Sequence, residues 1–97
     1  MNISLDKYTT NTAQITISDI DLISKNKNSI TLYYSYQTLI AIKDIDNTYF
    51  VSENIYSNTT GKYINTLEPN KDNRLKREVF EKKADKIINQ IIFNPYN

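Results

Sequence analysis

The chain has 97 residues, the size of one domain, and a formal net charge of +1. It contains no Cys and no His, which excludes disulfides and thiolate zinc sites and removes the commonest general base and metal ligand. A nearly neutral charge is unlike that of a typical nucleic-acid-binding protein, which is strongly basic, or of a DNA mimic, which is strongly acidic. We therefore expect a protein that binds a partner and is not an enzyme.

The start of the chain predicts its compartment. Residues 1–10 lack the basic start and apolar stretch of a secretory signal. No apolar run reaches the roughly 18 residues that a membrane-spanning helix needs. We expect a cytoplasmic protein that forms a single domain over residues 1–97 and makes no membrane contact.

Residues 1–56 are rich in strand patterns. Residues 12–18 alternate apolar and polar side chains, which predicts a half-buried strand, and residues 19–23 either extend it or form a short separate piece. The polar residues 25–29 predict a turn, and residues 30–34 predict a second strand.

A hairpin is predicted over residues 38–52. The uninterrupted apolar run at residues 39–42 is typical of a central strand that is covered on both faces. The Asp and Asn residues at 44–47 favour a turn because they tolerate left-handed backbone angles. A returning strand at residues 48–52 completes the hairpin.

Two helices follow. A short helix is predicted over about residues 57–67, with Ser57 as its N-cap and Gly61 as a weak point that costs about 1 kcal/mol relative to Ala. A long helix is predicted over about residues 73–93, with Asp72 or Asn73 as its N-cap, because apolar residues recur there at three- and four-residue spacing. The predicted fold class is α+β: an antiparallel sheet of about four strands packed against the long C-terminal helix, plus one short helix.

Two pairs of acidic residues are candidate cation ligands. Asp44 with Asp46, and Asp19 with Asp21, could hold a hard cation through their carboxylates. The glycine and closing glutamate of a calcium-binding loop are missing, so we favour turn residues in the first pair and solvent-facing residues in the second. We expect no metal and no cofactor.

The tyrosines are the main candidates for a partner-binding surface. Eight Tyr residues are an excess in a chain of this length. Their rings could pack at the edge of the core, form a protein-binding surface, or stack on single-stranded bases, and core packing is favoured. The residues chosen as partner-binding candidates are Tyr33, Tyr36, Tyr56, Lys62 and Tyr63.

A second candidate site would bind an anion. The start of the short helix combines hydroxyls with a lysine, and free N–H groups there favour negative charge. Simple capping of the helix is the favoured alternative. Basic residues of the long helix alternate with acids such as Glu78, which is typical of a solvated face. The candidate anion or nucleic-acid contacts are Lys43, Ser57, Thr59, Thr60, Lys62, Arg74 and Arg77.

Two blocks resemble a domain found in many small proteins of phages and archaeal viruses. Residues 35–41 read Ser-Tyr-Gln-Thr-Leu-Ile-Ala, where that domain has Ser-Tyr-x-Thr-x-Ile-Ala. Residues 56–65 read Tyr-Ser-Asn-Thr-Thr-Gly-Lys-Tyr-Ile-Asn, where it has Tyr- or Trp-Ser-x-Thr-Thr-x-Lys-His-x-Asn, so Tyr63 replaces the usual His. The resemblance covers about residues 33–66 and implies a viral or prophage setting.

The resemblance directs the functional expectation. The family implies no settled chemistry, but small phage proteins without His or Cys often inhibit a host factor. By that analogy we expect an inhibitor of a host defence factor, of the anti-CRISPR kind, acting in the host cytosol by protein–protein interaction, with a CRISPR effector as one candidate partner. The alternative is a nucleic-acid-binding accessory protein that stacks Tyr rings on bases and contacts phosphates through Lys and Arg. A third reading is a structural dimer that pairs through an uncovered sheet edge or helix face, so the chain is expected as a monomer or small homo-oligomer.

Overall fold

Five strands and two α-helices make up the computed structural model, which describes residues 2–18 and 29–92. The predicted α+β class with an antiparallel sheet is confirmed, but the predicted number of four strands is wrong. In chain order the elements are β1 (Asn2–Tyr8), β2 (Thr12–Ser18), β3 (Ile30–Ser35), β4 (Thr38–Lys43), β5 (Tyr49–Val51), α1 (Asn58–Leu67), a 3₁₀ turn (Lys71–Asn73) and α2 (Arg77–Ile92).

The strand that the sequence did not predict is β1. The register of its pairing with β2 shifts between Leu5 and Lys7, so one extra residue, Asp6, bulges out of the ladder. A bulge interrupts the alternation of apolar and polar positions that identifies a strand in a sequence. The predicted extension at residues 19–23 and residues 25–28 of the predicted turn lie outside the described part of the chain.

The strands form a meander in the order β1-β2-β3-β4-β5, and every neighbouring pair is antiparallel. The predicted hairpin over residues 38–52 is confirmed. Its turn is fixed by Asp44, whose Oδ1 accepts the backbone N–H groups of Asp46 and Thr48 at 2.9 Å each. Asn47 adopts φ 62°, the left-handed geometry that its residue type tolerates.

The two sides of the sheet bury different clusters. On one side, which we call the α2 face, Ile30, Leu32 and Ile42 pack with Phe80 and Ala84 of α2. On the other side, the α1 face, a second cluster packs with α1; its members are Tyr33, Ile40, Ala41, Val51 and Ile64. The prediction that residues 39–42 are covered on both faces is therefore confirmed.

A register shift between Tyr33 and Tyr34 explains how β4 serves both faces. Ile40 and Ala41 are adjacent in the chain, and both join the cluster on the α1 face. Leu39 and Ile42, on either side of them, join the cluster on the α2 face. The bulge thus gives β4 two side chains toward each helix.

The start of α2 differs from the prediction. It begins at Arg77, and Asp72 and Asn73 are not its N-cap because they lie in the 3₁₀ turn. Leu75 is instead drawn to the sheet: its N–H donates to the Val51 carbonyl at 2.8 Å, and its own carbonyl accepts the N–H of Glu53 at 2.8 Å. Glu53 also accepts the backbone N–H of Arg77 at 2.8 Å, which satisfies a donor at the beginning of α2.

Helix α1 begins where the sequence predicts. The Ser57 hydroxyl accepts the backbone N–H of Thr60 at 3.2 Å, which confirms Ser57 as the N-cap. Thr60 and Ile64 are buried on the α1 face, and the hydroxyls of Thr60 and Ser35 are 2.8 Å apart in a buried hydrogen bond. No helix among the described residues is long and apolar enough to cross a membrane.

The core contact between α2 and the sheet is testable at Phe80, which is fully buried. Phe80→Ala is expected to lower the free energy of unfolding by about 3–5 kcal/mol, because it removes a buried ring and leaves a cavity. The matched control is Val79→Ala, since Val79 is exposed on the same helix and should cost less than about 1 kcal/mol. Urea denaturation measures both; equal losses would contradict the packing of α2.

Candidate functional site

Three tyrosines from three different elements meet on the α1 face. Tyr33 lies on β3, Tyr49 on β5 and Tyr63 on α1, and we call them the tyrosine cluster. The ring centroids of Tyr33 and Tyr49 are 5.4 Å apart with the planes tilted by 59°, a favourable geometry for aromatic pairs. Ala41 lies opposite Tyr33 on β4, and its small side chain leaves room for this contact across the strand.

Burial differs within the cluster. Tyr33 is 8% exposed and belongs to the core, whereas Tyr49 is 37% exposed and Tyr63 is half-buried. Tyr33 is therefore the innermost member of the cluster, and the other two rings lie closer to the protein surface. Tyr49 and Tyr63 are the members that a partner can reach.

The environment keeps all three phenols protonated. Burial, with a smaller effect of the Asp6 charge, raises the pKa of Tyr33. Burial and then the neighbouring Tyr33, Tyr63 and Glu68 raise the pKa of Tyr49 well above its ordinary value. Burial, followed by the proximity of Tyr33, raises the pKa of Tyr63. Each phenol thus offers a neutral hydroxyl that can donate and accept a hydrogen bond.

Charged groups of both signs surround the cluster. Lys43 lies opposite both Thr31 and Tyr49 in the sheet register, so it shares the α1 face with them. Asp6 and Glu68 are close enough to affect the phenols of Tyr33 and Tyr49. We call Lys43, Asp6 and Glu68 the charged rim.

A surface rich in hydroxyls extends from the cluster toward β1. Asp6 accepts hydrogen bonds from the hydroxyls of Ser4, at 2.8 Å, and Thr16. These bonds lower the pKa of the Asp6 carboxyl, so it carries its negative charge at neutral pH. The Thr16 hydroxyl is also 3.3 Å from that of Thr31. The arrangement suits recognition by ring stacking and hydrogen bonding.

The structure brings together two of the five partner-binding candidates, Tyr33 and Tyr63. Tyr36 is at the exposed β3–β4 turn with φ 55°, and Lys62 is on the exposed side of α1. Tyr56 precedes α1 and packs against Arg77, whose guanidinium carbon is 5.5 Å from the ring centroid. The third member of the cluster, Tyr49, is not one of the residues that the sequence analysis predicts, although it belongs to the tyrosine excess.

The anion-site candidates are divided among several roles. Ser57 and Thr60 cap and anchor α1, while Thr59 is exposed beside them. Arg74 donates through Nε and Nη2 to the Glu68 carbonyl at 2.9 and 2.8 Å, and Nη2 also contacts the side chain of Asn65.

Arg77 also makes internal contacts. Its Nη1 donates to the Leu39 carbonyl and its Nε to the Glu81 carboxylate, both at 2.9 Å. The guanidinium group of Arg77 therefore holds α2 to the sheet.

A polar cavity of about 370 Å³ opens beside α1. Its walls carry both signs of charge; they are formed by Glu53, Asn54, Gly61, Asn65, Lys71 and Arg74. Gly61 allows Asn54 to approach the helix closely, because an added Cβ would lie 2.7 Å from Asn54 Nδ2. Among the residues that the structure describes, no three metal-binding side chains come together.

Residues 3–86 match the model of a family of unknown function, DUF8033. The chain belongs to this family. No curated protein and no solved structure matches the DUF8033 chain significantly.

The close approach at Gly61 predicts a coupling between two residues. Gly61→Ala alone is expected to destabilise the DUF8033 chain, because the new Cβ displaces Asn54, whose Oδ1 accepts the Tyr56 N–H at 2.9 Å. In an Asn54→Ala background the same change is expected to stabilise by about 1 kcal/mol, the usual gain of Ala over Gly in a helix. A double-mutant cycle in urea measures the coupling; additive effects would contradict the contact.

The raised pKa values predict a loss of stability in alkali. Above about pH 10 the tyrosines of the unfolded chain lose protons that the cluster retains, so the free energy of unfolding falls as pH rises. The double variant Tyr49→Phe/Tyr63→Phe should show a smaller fall, because it removes two of the phenols concerned. Urea denaturation across this pH range measures it, with Tyr8→Phe as the control outside the cluster. An identical fall in all three proteins would contradict the assignment.

Proposed function

We propose that this chain binds another protein through the tyrosine cluster and its charged rim, and thereby inhibits a host defence factor stoichiometrically. The observation that carries the binding surface is the meeting of Tyr33, Tyr49 and Tyr63 on one face. Tyrosines supply a large apolar ring with a polar tip, and they are enriched in the centres of protein–protein interfaces.

The cluster has the layered arrangement of an interface centre. Tyr33 is buried in the sheet and contacts the ring of Tyr49. This contact limits the motion of the Tyr49 ring before a partner binds, so binding would cost little conformational entropy. Tyr49 and Tyr63 are partly exposed, and each carries a neutral hydroxyl. The charged rim carries both signs, which favours a partner surface of mixed charge.

The identity of the partner rests on the resemblance of residues 33–66 to the phage and archaeal-virus domain. Small proteins from that setting often act by occluding a host defence protein, of which a CRISPR effector is one candidate. The absence of His and Cys from the sequence fits occlusion better than catalysis.

Nucleic acid is the second candidate partner. The position of Lys43 beside Tyr49 favours it, because a cation next to an exposed ring suits a stacked base and its phosphate. Two observations oppose it: Arg74 and Arg77 use their guanidinium groups in internal bonds, and Asp6 and Glu68 bring negative charge to the same face. Phosphate contacts would make the affinity fall steeply as salt rises.

Binding by the cluster is tested with substitutions at its two accessible rings. Tyr49→Ala and Tyr63→Ala are each expected to weaken partner binding at least about tenfold, which corresponds to about 1.4 kcal/mol. The matched control is Tyr36→Ala, an exposed tyrosine at the β3–β4 turn. The tagged wild-type chain captures its partner from host lysate for mass spectrometry, and calorimetry with the purified partner then compares the variants.

The outcomes separate the two candidates. Capture of a defence nuclease or CRISPR effector, with its activity lost at a one-to-one ratio, supports the proposal. Capture of nucleic acid alone, with affinity that falls steeply between about 50 and 200 mM salt, overturns it in favour of the alternative. Equal binding by Tyr49→Ala, Tyr63→Ala and Tyr36→Ala would exclude the tyrosine cluster as the contact surface.

A further inference from the structure

The two edge strands of the sheet, β5 and β1, differ in whether another segment of the described chain bonds to their outer side. The outer edge of β5 is occupied, since the Val51 carbonyl accepts the N–H of Leu75 and the Glu53 N–H donates to the Leu75 carbonyl. At the opposite edge β1 is seven residues long and exposed throughout. Within residues 2–18 and 29–92, no strand pairs with its outer side. An uncovered strand edge offers a row of backbone donors and acceptors to another strand.

Large apolar side chains accompany this edge. Ile3, Leu5 and Tyr8 are 69%, 54% and 71% exposed. They lie opposite Ile17, Ile15 and Ala13 of β2, and Ile17 is partly buried against the core cluster of the α2 face. The three side chains therefore extend the apolar α2 face beyond the part that α2 covers.

The bulge makes the middle of β1 self-complementary. Asp6 shares the α1 face with its hydrogen-bond partners Ser4 and Thr16, and Lys7 lies opposite Gln14, which itself faces Tyr33. The acid and the base are thus adjacent in sequence and on the same face.

Leu5 and Tyr8, on either side of this pair, both lie on the α2 face. A two-fold axis perpendicular to the sheet can lie between the β1 strands of two copies, level with the peptide bond that joins Asp6 to Lys7. Such an axis keeps the α1 faces of both copies on one side and their α2 faces on the other. It would set each Asp6 against the Lys7 of a second copy, and each Leu5 against the second copy's Tyr8.

We infer that β1 pairs with β1 of a second copy, antiparallel, to form a continuous ten-stranded sheet. Backbone hydrogen bonds supply the pairing, the two Asp6–Lys7 contacts fix its register, and the Leu5–Tyr8 contacts cover apolar surface. A strand from an unrelated protein would use the same edge but has no need of this two-fold match. The pairing shares one residue with the proposed partner-binding surface, Asp6 of the charged rim, while the tyrosine clusters of both copies would stay exposed on the same side of the joined sheet.

The oligomeric state tests the inference. Sedimentation equilibrium of the wild-type chain from about 1 to 200 µM is expected to show conversion from 11.3 kDa toward twice that mass. Lys7→Glu should raise the dimer dissociation constant at least tenfold, because it sets two acids against each other across the axis. Lys62→Glu is the matched control, since it makes the same change at an exposed lysine of α1 and should leave the constant unchanged.

A charge-reversed pair of variants tests the register. Lys7→Glu alone and Asp6→Lys alone should each dimerise at least about tenfold more weakly than the wild-type chain, since each homodimer would oppose like charges. Mixed together they should form a heterodimer, because every charge then meets an opposite one. Circular dichroism checks that both variants fold, and differently tagged chains report the heterodimer.

A disulfide provides a readout that does not depend on charge. The chain has no native cysteine, so single substitutions give unambiguous crosslinks. Under oxidation, Leu5→Cys mixed with Tyr8→Cys should crosslink more than either variant alone.

Three results would overturn the inference. They are a mass fixed at 11.3 kDa up to about 200 µM, a dimer that Lys7→Glu and Lys62→Glu leave equally intact, and a β1 edge that binds only a different protein.

Discussion

Strand β4 is buried on both faces, and both helices depend on that burial for their positions. Its bulge turns Ile40 and Ala41 toward α1 and leaves Leu39 and Ile42 on the side of α2. A chain of 97 residues can bury only about two-thirds of its unfolded surface. A strand that contributes side chains to two hydrophobic clusters lets this small chain bury both of its helices' apolar faces. The tyrosine cluster follows from the same constraint, because Ala41 is the small residue that lets Tyr33 reach Tyr49.

The segment between α1 and α2 completes the fold by closing the β5 edge. Leu75 bonds to Val51 and Glu53, and Glu53 in turn accepts the first N–H of α2. Arg77 adds a bond to the Leu39 carbonyl while it packs against Tyr56 and Phe80. One short segment thus joins the sheet edge, the loop before α1 and the beginning of α2.

Local signals predicted much of this structure. The hairpin over residues 38–52 and the capped helix from Ser57 depend on neighbours in sequence, which the sequence displays directly. Strand β1 was missed because the bulge at Asp6 breaks its alternation. The start of α2 was placed too early because Leu75 fits a helical pattern but gains two backbone bonds by joining the sheet. These bonds depend on tertiary contacts, which local propensity does not contain.

The sequence indicates that the candidate site is aromatic, but it does not show which tyrosines form it. The tyrosine excess indicated an aromatic surface, and Tyr33 and Tyr63 were among the chosen residues. Tyr49 joins them through the register of β4 and β5 together with a bulge, and neither can be read from spacing. Arg77 looked like part of a solvated face because acids surround it, yet its side chain turns inward to a carbonyl.

The meander has a consequence for how the chain acquires its structure. Every strand pairs with the one next to it along the chain, which keeps the contact order of the sheet low. The sheet can therefore grow hairpin by hairpin as the polypeptide leaves the ribosome. Leu75 and α2 follow the sheet in the chain, so the backbone bonds of Leu75 and the packing of α2 can form only after all five strands have been synthesised.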